Sequence, residues 1–146
     1  MITYRELTKS DLPSALKLYT QLHPEEETIS ITKAEHIWDI AANQHIKYFA
    51  AVDNDNVIAV CFICIIPNLT RHGKSIGFIE NVVTDKNYRR LGIGKTVIEL
   101  ATAYAKANNC YKVLLQSTNT RKDAHQFYFS IGFDGETKKA FEKRIN

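Results

Sequence analysis

Arg89-x-x-Gly92-x-Gly94, with Arg90 and Lys95 beside it, is the group of residues whose types and spacing could do chemistry. It follows a strand-like run and opens onto a helical pattern. Peptide N–H groups at a helix start have no intrahelical partner, and the helix dipole adds partial positive charge there. Glycines let an anion approach that backbone, and arginine and lysine add charge, so the chemistry is phosphate binding. Two better-known phosphate motifs fail on spacing. The pattern G-x-x-x-x-G-K-[ST] is absent, and nothing supplies the third glycine of G-x-G-x-x-G.

The cysteines offer less. Cys61 and Cys64 form a C-x-x-C, but they sit in VIAVCFICII, where residues three apart point to opposite faces of a strand. No second pair follows, so buried structural thiols are the reading. Three cysteines, few and odd in number, fit a reducing compartment.

The elements that position the glycine loop are legible from periodicity. Ile2 to Arg5 alternates as a short strand, and Ser10 reads as an N-cap with Pro13 in the first turn. Leu12, Ala15, Leu16, Tyr19 and Leu22 recur at helical spacing. HPEEETIS breaks the pattern as a loop. Thr32 and Glu35 have capping-box spacing before a second helix, marked by Ala34, Ile37, Trp38 and Ala41. Ile46 to Val52 and Val57 to Ile66 are β-prone around the polar turn Asp53-Asn54-Asp55-Asn56, which is hairpin chemistry.

Ser75 to Thr84 is the next strand, and a long helix runs from about Gly92 to Ala107. Tyr111 to Ser117 is another strand. Thr120 and Asp123 then cap a short helix that Gly132 closes, and a last strand is predicted within Lys139 to Ile145. The order β-α-α-β-β-β-α-β-α-β gives an α+β mixed sheet with helices on both faces. No linker or repeat divides the chain, so residues 1–146 are expected to form a single domain.

Composition bounds the partners. A hydrophobic content of 45% with 24% charged residues is that of a soluble globular protein. A formal charge of +3 without basic runs among aromatics argues against nucleic acid. No apolar run reaches membrane-spanning or signal-peptide length, so no membrane association is expected and a cytoplasmic location is the default.

ENVVTDKNYRRLGIGKTVIELA resembles the acetyl-CoA-binding motif of the GNAT superfamily of N-acetyltransferases, a strand followed by R/Q-x-x-G-x-G/A and a long helix. VLLQSTNTRKDAHQFYFSIGF is similar to that superfamily's next strand and a helix ending F-Y-x-x-x-G-F. The resemblance covers about residues 75 to 133. It implies the GNAT-type acyl-CoA N-acyltransferase fold, with a central, mostly antiparallel sheet. It also implies acetyl-CoA as co-substrate without a metal, and an amine acceptor.

By position, Val82, Val83 and Thr84 match the strand residues whose backbone pairs with the pantetheine arm, at a site where the family's strands splay around a bulge. Arg89, Arg90, Leu91, Gly92, Ile93, Gly94, Lys95 and Thr96 match the loop that cradles the pyrophosphate. Tyr128 matches the tyrosine that faces the cofactor sulfur and protonates the leaving thiolate. Three departures stand out. Arg90 occupies a usual glycine position. Arg121 stands where the family has asparagine, three residues before the helix alanine, Ala124; Asn119 or Asp123 substitutes, or that contact is missing. The strand reads NVVT where L-x-V is commoner.

Transfer to an amine needs a base for the attacking nitrogen and charge relief at sulfur, each contributing ~10²–10⁴-fold. Glu80 interrupts the apolar FIENVV, on the face of Phe78 and Val82 by simple alternation, and burial raises a carboxylate's pKa. It is a base or water relay, a paired structural carboxylate, or a ligand for a cationic substrate. Tyr128 is the acid, or one of a run of core aromatics with Phe127 and Phe129. His125, His72 and His36 carry no assigned role. The acidic loop His23 to Glu27 is a solvated loop or an attractor of amines.

The cysteines lack the setting of a nucleophile, so attack is direct. S-T-N-x-x-x-D-A-H-x-F-Y is similar to the aminoalkylphosphonate acetyltransferases, whereas I-E-N and N-C-Y-K resemble the glucosamine-phosphate acetyltransferases. A small-molecule primary amine is the expected acceptor. Protein N-terminal or lysine acetylation, and an idle acyl-CoA-binding module, are the rivals. A homodimer is compatible with the sequence.

Overall fold

The computed structural model describes residues 1–146. The chain runs β1 (Ile2–Glu6), α1 (Leu12–Tyr19), α2 (Ile31–Ala42), β2 (Ile46–Asp53), β3 (Asn56–Ile66) and β4 (Ser75–Thr84). It continues through α3 (Ile93–Ala107), β5 (Cys110–Leu115) and α4 (Lys122–Ser130). The strands form one five-stranded sheet in the order β1-β2-β3-β4-β5, and the first three pairings are antiparallel. Two compact units are distinguishable, Met1–Leu114 and Leu115–Asn146.

In the first unit the register decides which helix covers which face. Phe49 pairs with Cys61 and Ala50 with Val60, so these neighbours point to opposite sides of the sheet. Phe49 meets Tyr104 of α3, ring centroids 5.7 Å apart. Ala50 and Val60 instead share a core cluster with Ala15 and Leu18 of α1 and with Val83, onto which Tyr19, Trp38 and Tyr48 pack. Helices α1 and α2 thus cover one face and α3 the other. At Gly77 the approach of α3 is tight: an added Cβ would lie 3.2 Å from the Ala105 methyl and 3.0 Å from Ile63 Cδ1. The β2–β3 hairpin turns through Asn54 and Asp55 at φ of 47° and 64°, the left-handed pair that a tight hairpin needs.

Helix starts differ from the expected ones. Ser30, not Thr32, caps α2, its hydroxyl accepting the Lys33 N–H at 3.2 Å. A short turn, Lys9–Asp11, precedes α1, so Ser10 lies before the helix and Asp11 is the cap residue. Asp11 is nearly buried, takes both Arg5 guanidinium nitrogens at 2.7 and 3.0 Å, and accepts the Thr8 N–H at 2.7 Å. The Arg5 bonds hold its carboxyl well below the usual range, against the opposing effect of burial.

In the second unit Gly132 sits at φ 100°, and the Phe133 N–H reaches back to the Tyr128 carbonyl at 3.0 Å, the closing turn predicted for α4. No side-chain cap forms at the start of α4, although Thr120 and Asp123 have the spacing for one. The strand predicted within Lys139 to Ile145 does not form: that segment is exposed and irregular, with Phe141 88% and Ile145 85% accessible. A short stretch with three apolar residues supplies neither a ladder partner nor a buried face.

Candidate active site

β4 carries the first half of the candidate site. Its register against β3 changes between two pairings, Phe62 with Glu80 and Val60 with Val83, so Asn81 and Val82 together oppose Cys61. That is a β-bulge, and Asn81 takes φ 53° to make it. The extra residue leaves backbone groups without ladder partners at this point in the strand. The bulge also corrects the alternation expected for Glu80. Glu80 shares its face with Val83, not Val82, because one extra residue inverts every side chain beyond it. The carboxylate is half-buried on the α1–α2 face beside Phe62, whose ring meets Tyr48 at 5.5 Å. Of the other strand residues, Val83 is buried while Val82 and Thr84 are half-exposed.

The turn after β4 is staked on both sides. Asp85 accepts the Asn87 N–H at 2.8 Å and a Gln21 amide N–H at 2.9 Å, and these bonds lower its pKa. The Gln21 carbonyl oxygen receives the Lys86 N–H at 3.0 Å. Tyr88 donates its hydroxyl to Asp53 at 2.9 Å, a bond that raises the phenol's pKa. Past these fixed points the chain opens. Arg89 donates from Nε to the Thr84 carbonyl at 3.2 Å, while Arg90 and Leu91 are exposed.

Arg90 and Gly92 both lie in the left-handed region, at φ 62° and 76°. The family's usual glycine in place of Arg90 has its reason there. Gly92 is the N-cap of α3 and offers no side chain, and the Thr96 N–H makes the first intrahelical bond, back to the Gly92 carbonyl at 3.1 Å. The N–H groups of Ile93, Gly94 and Lys95 precede that bond, on a helix of 15 residues. Uncapped amides, a dipole's positive end and the nearby cations, of which Lys95 also meets Glu99 at 3.8 Å, are an arrangement that can hold a diphosphate.

The second unit holds the other predicted residues. Tyr128 is half-buried on α4, with its ring 5.3 Å from Phe127 and edge-on to Phe133 at 6.0 Å. Ala124 is half-buried, and Asn119, Arg121 and Asp123 are exposed around the start of α4. His125 donates Nε2–H to the Thr118 carbonyl at 2.9 Å, a structural bond within its own turn. All three cysteines are free thiols; burial pushes Cys61 up to about 12, which removes thiolate chemistry at neutral pH. His23, Glu25 and Glu26 are exposed on the loop between α1 and α2.

Sequence reasoning passed over Asn81. An asparagine inside an otherwise apolar strand was its signal, since asparagine is poor in strands and tolerates the left-handed region. It also passed over a cleft of about 220 Å³ between α1, α2 and the sheet, which Asn81 lines together with Tyr19, Trp38 and Tyr48.

The chain resembles known proteins in sequence and in fold. The sequence profile of the Acetyltransferase (GNAT) family matches residues 11–133. Glucosamine 6-phosphate N-acetyltransferase of Trypanosoma brucei brucei is 33% identical over 131 residues, covering 88% of this chain and 86% of that protein. Human N-alpha-acetyltransferase 30 is 31% identical over 88 residues, covering 59% of this chain and 24% of its own length. The crystal structure of glucosamine-6-phosphate N-acetyltransferase from Arabidopsis thaliana superposes with a TM-score of 0.89 at 20% identity, covering 100% of this chain and 99% of that one. At that identity the likeness shows the fold.

Proposed function

Because this chain belongs to the acetyltransferase (GNAT) family, we propose that it moves the acetyl group of acetyl-CoA to a small-molecule primary amine by direct attack. The neutral amine nitrogen adds to the thioester carbonyl, the carbon–nitrogen bond forms and the carbon–sulfur bond breaks. The nitrogen's surplus proton goes to Glu80, directly or through a water, and the CoA thiolate leaves with a proton from Tyr128. The products are an amide and free CoA. Backbone of Val82, Val83 and Thr84 receives the pantetheine arm as an added strand would. Arg89 to Thr96 receive the pyrophosphate, and Asn119 and Ala124 are the second unit's candidates for a cofactor contact.

One observation carries this reading. A single strand, β4, bears a half-buried carboxylate next to a bulge and then runs into a basic loop with uncapped helix amides. A base, unpaired backbone donors and an anion cradle in that order are the parts an acyl transfer from a nucleotide thioester requires. The three free thiols support a cytoplasmic home. No helix is long and apolar enough to cross a membrane. Residues 1–146 are read as one catalytic domain, and self-association into a homodimer is compatible with the site.

The test follows CoA thiol release with acetyl-CoA and a panel of amino sugars, aminophosphonates, arylalkylamines, polyamines and peptides. The peptide arm is kept for the partial likeness to an N-alpha-acetyltransferase. Turnover with small amines is expected, falling about 10²–10⁴-fold in Tyr128→Phe and in Glu80→Gln with acetyl-CoA affinity kept. Unchanged turnover in either variant removes that residue from the chemistry. Turnover with peptides alone overturns the small-molecule reading.

A further inference from the structure

One side chain ties the end of α1 to the turn that leads into the basic loop. Gln21 lies just past α1, where its own N–H returns to the carbonyl of Leu18, a core residue, at 2.9 Å. Its side-chain amide meets the turn twice. The amide nitrogen donates to Asp85 at 2.9 Å, and the amide oxygen accepts the Lys86 N–H at 3.0 Å. A carboxylate accepts and a backbone N–H donates, so these two partners together admit one orientation of the amide. Asp85 also takes the Asn87 N–H at 2.8 Å, and the Tyr88 N–H returns to the Asp85 carbonyl at 2.8 Å.

Apolar packing does not replace these bonds. Gln21, Asp85 and Tyr88 line a cleft of about 230 Å³ with Ser14 and Lys17, and Lys86 and Asn87 are exposed. A turn beside open space takes its position from its hydrogen bonds. The sheet holds its other side, through the Asp85 N–H to the Ile58 carbonyl at 2.8 Å and the Tyr88 hydroxyl to Asp53 at 2.9 Å. From Tyr88 the chain passes directly into Arg89, Arg90 and Leu91, all exposed, before Gly92 opens α3.

We propose that Gln21 is a positioning residue for the cofactor. By fixing Asp85 and Lys86 it sets the path of the loop from Arg89 to Gly92 before a diphosphate arrives. Ordering a loop on binding costs affinity, and a loop ordered beforehand avoids that cost. The effect therefore falls on the affinity for acetyl-CoA rather than on acyl transfer. The proposal rests on the acetyl-transfer reading only for the identity of the ligand.

Calorimetric titration of CoA, well below the unfolding transition, tests it without any amine. Gln21→Ala should weaken CoA binding about 10-fold. Gln21→Glu sets two carboxylates against each other, and Asp85→Asn can serve the Asn87 N–H or Gln21 but not both. Each should weaken binding about as much as Gln21→Ala. Gln21→Glu combined with Asp85→Asn restores a donor and an acceptor with the direction reversed, and should return affinity to within about threefold of wild type. In steady-state rates Gln21→Ala should raise the KM for acetyl-CoA about 10-fold with kcat within about threefold.

Wild-type CoA affinity in Gln21→Ala overturns the proposal, whatever happens to Tm. A double variant no tighter than the weaker single one overturns it too, as does a fall in kcat equal to the rise in KM. CoA that binds while no amine releases it from acetyl-CoA removes the acetyl-transfer reading, and the titrations then decide the role of Gln21. A wild-type protein that binds no CoA removes both.

Discussion

Two corners of the first unit perform the same mechanical task, turning a strand into a helix, and they treat charge in opposite ways. At the β1–α1 corner Arg5 and Asp11 pair through two short bonds, and the Thr8 N–H and hydroxyl both reach the same carboxylate at 2.7 Å. At the β4–α3 corner Arg90 is exposed, Arg89 gives only its Nε to the Thr84 carbonyl, Lys95 lies 3.8 Å from Glu99 on the helix surface, and the first amides of α3 meet no side chain. The closed corner spends its polar groups on the fold. The open corner leaves them available to an anion and accepts left-handed backbone at Arg90 to do so. The difference is what an anion site at the open corner would require.

Closing the open corner gives the largest expected effect. Gly94→Asp puts a carboxylate in the first turn of α3. Glycine is a poor helix residue, and a negative charge at a helix start is favourable, so stability should rise by about 1 kcal/mol. The same charge competes with a diphosphate for the amides, and kcat/KM for acetyl-CoA should drop roughly 10–10²-fold. Thermal denaturation and initial rates read the two effects on one protein. A variant that loses both stability and rate would mean that the corner is structural, like its counterpart.

Opening the closed corner should do the reverse. Asp11→Ala leaves the Arg5 guanidinium and the Thr8 N–H without their shared partner, and it should cost about 3 kcal/mol. In a chain of this size that lowers Tm by roughly 6–12 °C. The KM for acetyl-CoA should stay within twofold. Unfolding followed by circular dichroism, beside the KM at a temperature well below the transition, checks both halves.

These corners were unequally legible in the sequence. β4 was bounded at Ser75 and Thr84, and the start of α3 at Gly92, because glycine, charge and a change of period all fall at one place. The Arg5–Asp11 pair was not legible: it joins a strand residue to a helix cap through a fold in the chain, and no local spacing encodes it. The resemblance anticipated a bulge at this site, but which residue forms it was not legible for a related reason, since its location is a property of β3 and β4 together. Lys139 to Ile145 failed from the other side, as its few apolar residues find neither a ladder nor a core. The Tyr19–Trp38–Tyr48 cleft draws one residue from each of three elements, so the helical periods of α1 and α2 read as core stripes alone.

Acid should distinguish the corners further. The folded carboxyl of Asp11 titrates below its unfolded value of about 4, so its contribution is full above pH 4 and fades as pH falls beneath that. Asp11→Asn should therefore flatten the acid limb of a Tm-against-pH profile between about pH 4 and pH 2. The separation between wild type and Asp11→Asn should be constant from pH 5 to pH 7. A separation that persists undiminished at pH 2 would show that the pair's charge is not what holds the corner.

The smallest effect belongs to Arg90. Its backbone pays for the left-handed region, on the order of 1 kcal/mol for a residue with a Cβ. Arg90→Gly relieves that strain but loosens the unfolded chain, which returns part of the gain, so the net rise in stability should be about 0.5 kcal/mol. Strain at an exposed turn is retained when the side chain does something a glycine cannot. Here that is charge beside uncapped amides. Arg90→Gly should raise the KM for acetyl-CoA severalfold and make it less sensitive to added salt, because one fewer cation is screened. Steady-state rates at low and at 0.5 M sodium chloride measure this. A variant that gains stability with no change in KM would mean that Arg90 is an accident of the loop, and the cradle's charge would then fall to Arg89 and Lys95.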